Sequence, residues 1–140
     1  MNTAGITDRL ARYFGAADLD GVASAYLYGS HVGGRGHRES DVDVAVLLDW
    51  ARYPSAASRF DVRLQLSADL PGILGAAADV VILNDVPPGL GRAIVTGGIR
   101  AFAPAPALDH AYVRDVQLRA ADVQPWLERM ARIKLKAVRR

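Results

Sequence analysis

Residues 41–48 read Asp-Val-Asp-Val-Ala-Val-Leu-Leu, and this short alternation constrains the chain more than any other segment. Valines at 42, 44 and 46 alternate with Asp41, Asp43 and Ala45, a period of two that suits an extended strand with different residues on its two faces. Asp41 and Asp43 then leave the same face, their Cβ atoms about 6–7 Å apart at a rise of roughly 3.3 Å per residue. Two like charges so close on an apolar strand are costly unless a cation neutralises them, and hard oxygen ligands suit Mg²⁺.

The remaining segments supply partners for that strand. Val22 to Tyr28 is β-branched, aromatic and small and breaks at Gly29-Ser30, which predicts a buried strand ending there. Ala78 to Leu83 predicts a third strand, stopped by Asn84-Asp85 and two prolines, and Ile99 to Ala103 predicts a fourth at an edge. One helix is predicted from Thr7 or Asp8 to about Phe14, and a second from Ser55 to Leu70 with Phe60, Leu64 and Leu66 as apolar residues and Pro71-Gly72 as the stop. Further helices are predicted over Leu90–Thr96, from Asp109 to about Asp122, and from Pro125 to the C-terminus. The alternation of helices and strands predicts an α/β fold, a small mixed sheet of about four strands flanked by helices. At 140 residues, residues 1–140 are expected to form one domain, with C-terminal helices from about residue 109.

Composition excludes several classes of function. The absence of cysteine removes disulfides, thiolate zinc sites and a cysteine nucleophile together. No run approaches the roughly 18 apolar residues of a membrane span, and the N-terminus has no leader pattern, so the expectation is a cytoplasmic protein with no membrane partner. A formal net charge of only +2 weighs against nucleic acid as a partner. The basic run from Arg129 to Arg140, with Arg132, Lys134, Lys136 and Arg139 around Met130, Ile133 and Val138, is read first as a solvated helix face and second as a docking surface.

Chemistry concentrates in Gly29-Ser30, ten intervening residues, then Asp41-Val42-Asp43. A strand ending in Gly-Ser presents backbone N–H groups and a hydroxyl, and Gly29 admits a phosphate without a Cβ in the way. Arg35, His37 and Arg38 add positive charge to the same loop, where a guanidinium can hold phosphate oxygens in bidentate fashion. Asp79, the only acid in Gly-Ala-Ala-Ala-Asp-Val-Val-Ile-Leu, is the natural third carboxylate, since an isolated Asp in an apolar strand needs a compensating partner. His31 and His37 are read as loop polar groups, because no metal-ligand spacing accompanies them.

These residues resemble the minimal nucleotidyltransferases of the DNA polymerase β-like superfamily, whose signature is Gly-Ser, ten residues, Asp-x-Asp. Ser40 before the first Asp, the tail Val-Ala-Val-Leu-Leu, the Asp that opens Asp-Val-Val-Ile-Leu-Asn, and Gly98 before the late strand follow the family's order over roughly residues 5–135. By resemblance, Gly29 and Ser30 bind the β- and γ-phosphates of ATP, with Arg35, Arg38 and Ser40 completing the nucleotide site. Asp41 and Asp43 bind two Mg²⁺ ions and Asp79 binds the one that activates the acceptor hydroxyl. Many relatives carry Arg-Gly where Gly33-Gly34 stands here, so Arg35 and Arg38 both remain candidates for the triphosphate contact. Short members of the family are commonly antitoxins paired with HEPN-domain RNase toxins, and some silence the toxin by adding AMP to a tyrosine. The resemblance therefore implies a protein adenylyltransferase with a HEPN-type toxin as partner, in a homo- or hetero-oligomer. The alternative is an antitoxin that neutralises its toxin by stoichiometric binding without catalysis.

Overall fold

A computed structural model describes residues 2–17, 19–32 and 41–139, of which 122–129 and 131–139 are described as helical backbone. The elements are α1 (Thr3–Ala16), β1 (Val22–Tyr28), β2 (Val42–Leu48), α2 (Ala56–Leu74), β3 (Ala78–Ile82), α3 (Pro88–Gly97), β4 (Ile99–Phe102) and α4 (Pro106–Arg139). The four strands form one mixed sheet in the order β3-β2-β1-β4, with β1 antiparallel to both β2 and β4, and β2 parallel to β3. The parallel pair requires a crossover, and α2 supplies it.

β2 is covered on both faces. Val42, Val44, Val46 and Leu48 point into a core shared with Ile6, Leu10 and Phe14 of α1 and Val62, Leu66, Leu70 and Leu74 of α2. Ala45 and Leu47 point the other way, toward Tyr26, Leu83 and Ile94. Asp43 lies on this second face.

Three helices depart from the sequence reading. α1 begins four residues earlier than Thr7 because the Asn2 side chain caps it, accepting from Gly5 N at 2.8 Å, and Ile6 then extends the buried stripe of Leu10 and Phe14. α2 passes through Pro71 and ends at Gly75, whose φ of 68° suits glycine. Its buried face is Val62, Leu66, Leu70 and Leu74 at spacing four, whereas Phe60 and Leu64 are exposed. α4 is one helix through Pro125, where the sequence predicts a fresh start; a proline there deletes one donor from a 34-residue ladder without ending it.

α4 is tied to the sheet by a buried carboxylate. Asp109, fully buried, accepts from Ser24 Oγ at 2.7 Å and Tyr26 Oη at 2.6 Å. Its other oxygen lies 3.0 Å from Arg100 Nε, an ion pair whose angles fall outside a hydrogen bond. Asp109→Ala removes the acceptor of two buried hydroxyls and takes from Arg100 its ion-pair partner, leaving Nε donating to Tyr26 Oη at 3.3 Å, so a loss of about 3 kcal/mol is expected, read as a lower urea midpoint with an unchanged slope.

Candidate functional site

The site is assembled by strand register. β1 places Tyr28 opposite Asp43, and β3 places Asp79 opposite Asp43 on its other side. Tyr28, Asp43 and Asp79 thus form a row across three strands, all on the face away from α1 and α2. Asp41 sits immediately before β2, exposed, while Asp43 is half-buried and Asp79 exposed on the edge strand. Arg63 of α2 reaches that edge strand, donating from Nε to the Val80 carbonyl at 2.8 Å.

Electrostatics bind the row into one unit. Burial, then Asp79, then Asp41 hold the Asp43 carboxyl above its ordinary 3.8, and His31 opposes them. Tyr28 is pushed up to about 12, first by burial and then by Asp43 and Asp79, with Arg63 acting in the opposite sense. Its hydroxyl is therefore neutral near pH 7 and can donate to the acids beside it.

Gly29 begins a one-turn 3₁₀ helix, Gly29–His31, directly after β1. Its φ is 81°, and a Cβ there would collide with Asp43 Oδ2, so only glycine allows the turn to lie against the carboxylate. The turn is closed by Val32 N donating to the Gly29 carbonyl at 3.2 Å. Gly29 and Ser30 are exposed beside Asp43. Gly98 serves a similar packing need behind the site, since a Cβ there would meet the Ile94 carbonyl at 2.5 Å and the Leu27 carbonyl at 2.9 Å.

The structure thus brings together Gly29, Ser30, Asp41, Asp43 and Asp79. Arg35, His37, Arg38 and Ser40 lie outside the described residues. Among the described residues, no three His, Cys, Asp or Glu side chains are drawn into a metal cage. Tyr28 and Arg63 are absent from the sequence reading of the site. Tyr28 immediately precedes Gly29-Ser30, a usable signal, but the position of Arg63 depends on a tertiary contact without local signature.

The four-stranded mixed sheet thus carries a Gly-Ser turn against Asp43, with Asp79 beside it on β3. Residues 13–104 match the family model described as "Polymerase beta, Nucleotidyltransferase", and the chain belongs to that family of enzymes. No curated protein matches the sequence. Among solved structures, the chain is similar to one from a toxin–antitoxin complex with AMP-PNP, at 22% identity and a TM-score of 0.67 over 89% of this chain and 98% of the other. It is also similar to one from the tri-AMPylated Shewanella oneidensis HEPN toxin in complex with MNT antitoxin, at 19% identity and a TM-score of 0.62 over 91% and 98% of the two chains. A third likeness is to a chain of the toxin–antitoxin MntA-HepT, at 18% identity and a TM-score of 0.61 over 92% and 99%. At these identities the likeness establishes the fold. No helix among the described residues is long and apolar enough to cross a membrane.

The raised Asp43 carboxyl has a stability consequence. An acid with a raised pKa binds its proton more tightly folded than unfolded, so the fold loses stability as pH rises through that pKa. In metal-free buffer at pH 7, Asp43→Asn is therefore expected to raise the melting temperature. The gain should shrink as pH falls through the raised Asp43 pKa and be gone by about pH 4, the ordinary carboxylate value. Melting curves across pH in the presence of a chelator check this.

Proposed function

We propose that this chain is an antitoxin that transfers AMP from ATP, with Mg²⁺, to a tyrosine hydroxyl of a HEPN-type RNase toxin. The carrying observation is the register that sets Asp43 against Asp79, with the Gly29 turn lying directly against the Asp43 carboxylate. The family supports nucleotidyl transfer, and the similar structures, one with AMP-PNP and one with a tri-AMPylated HEPN toxin, support AMP and the toxin.

The residues fit Mg²⁺. Asp41, Asp43 and Asp79 offer only hard oxygen donors, and burial together with the repulsion from Asp79 and Asp41 raises Asp43, a load a cation would relieve. When bound by these three, Mg²⁺ supplies charge neutralisation for the triphosphate and acidification of the attacking hydroxyl. Gly29 and Ser30 receive the triphosphate through backbone N–H groups and the hydroxyl, assisted by Arg35, Arg38 and Ser40 of the following loop. Asp79 stands on the edge strand, so the acceptor approaches from that open side. The acceptor oxygen forms a bond to the α-phosphorus, the bond from that phosphorus to the bridging oxygen breaks, pyrophosphate leaves, and the hydroxyl proton passes to solvent. The whole reaction belongs to a single domain, residues 1–140, whose site of action is the cytoplasm, where its RNase partner works.

Incubation with radiolabelled ATP, Mg²⁺ and the purified partner should label the partner, with Asp41→Asn or Asp43→Asn lowering the rate by about 10²-fold or more. Neutralisation of the toxin by the Asp43→Asn variant without labelling would instead support stoichiometric binding, and labelling by that variant at the wild-type rate would contradict the catalytic reading.

A further inference from the structure

We infer that Thr3, at the first turn of α1, is a positioning residue for the nucleotide-binding turn. The inference rests on the reading that Gly29 and Ser30 receive the triphosphate. Thr3 Oγ1 donates to the His31 carbonyl at 2.6 Å, in a partly buried setting and across 28 residues of sequence. It is a short bond between two elements that no strand pairing joins. His31 is the last residue of the Gly29–His31 turn, and its field acts on Asp43. One hydroxyl therefore anchors the backbone at the far end of the phosphate-facing turn, three residues after β1 ends.

The turn's own 3₁₀ bond runs from Val32 N to the Gly29 carbonyl at 3.2 Å, Val32 packs against the core, and Ser30 is exposed. Gly29 carries a positive φ that keeps the backbone against Asp43, and Thr3 fixes the other end of the same turn two residues later. With both ends fixed, the Ser30 hydroxyl and the turn's N–H groups are pre-organised, which reduces the ordering cost of binding. The anchor is itself well founded. Asn2 caps α1 and Ile6, Leu10 and Phe14 bury its inner face, so Thr3 moves with the core and not with the loop.

Thr3 is distinguishable from an ordinary helix hydroxyl. Thr7, four residues on, donates only to the Ala4 carbonyl within α1, at 3.0 Å and exposed. The two threonines share a helix and a chemistry but differ in what they reach. Thr3→Val keeps the β-branched shape and deletes the bond, Thr3→Ser keeps the hydroxyl, and Thr7→Val reports on the helix alone.

Calorimetric titration of the full chain with AMP-PNP in Mg²⁺ buffer tests this, alongside melting temperatures of the same samples. Thr3→Val should weaken binding about five- to tenfold, the scale of one lost hydrogen bond, while Thr3→Ser stays within about twofold of wild type. Thr7→Val should bind as wild type. Wild-type affinity in Thr3→Val overturns the inference, as does equal weakening by Thr3→Val and Thr7→Val in step with lowered melting temperatures. No AMP-PNP affinity in the wild type would overturn the nucleotide-site reading itself, and the inference with it.

Discussion

Backbone pairing between β2 and β3 sets Asp43 opposite Asp79, and the chemistry of the site depends on that register. It is secured at both ends. Val42 N donates to the Ala77 carbonyl at 2.8 Å where the strands begin, and the Asn84 side chain clamps Leu48 through both its N–H and its carbonyl, each at 2.9 Å. A slip of one residue would turn Asp79 to the opposite face and place valine beside Asp43. Because the strands are parallel, the crossover helix α2 also has to seat correctly, and the apolar run Val62, Leu66, Leu70 and Leu74 seats it. A well-packed core on one face thus holds like charges together on the other, against their repulsion.

The second constraint is steric. β1 and β2 run antiparallel, so the residues after Tyr28 turn away just where Asp43 projects. Only a residue without Cβ, at positive φ, can turn there without displacing the carboxylate. The Gly-Ser turn and the acids are consequently one interlocked object. The turn's backbone and the carboxylate are held against each other by backbone geometry alone, the kind of preorganisation that the proposed electrostatic catalysis requires.

The sequence carried the strands of this site well and its surroundings less well. Alternating valines and aspartates in residues 41–48 left one sensible conformation, and the abrupt Gly29-Ser30 break marked where β1 ends. Asp79 could be nominated as the lone acid of an apolar run, but its place beside Asp43 is a matter of strand pairing, which no local pattern specifies. Prolines misled in two places. Pro71 read as a helix stop and Pro125 as the first turn of a new helix, because the residue lacks a donor, yet α2 and α4 run through them. In α2 the conspicuous Phe60 and Leu64 drew attention from the four-residue spacing of Val62, Leu66, Leu70 and Leu74, and the buried face includes Arg59, whose guanidinium is neutralised by Asp85 at 2.9 Å. Charged residues on a buried face defeat hydrophobic periodicity whenever their partner lies on another element.

The most direct measurement is a crystal structure of the chain grown with AMP-PNP and Mn²⁺, the latter located by its anomalous signal. The account predicts metal density between Asp43 and Asp79 and phosphates seated on Gly29 and Ser30. Metal or triphosphate bound elsewhere, with Asp43 and Asp79 left without an ion between them, would contradict it.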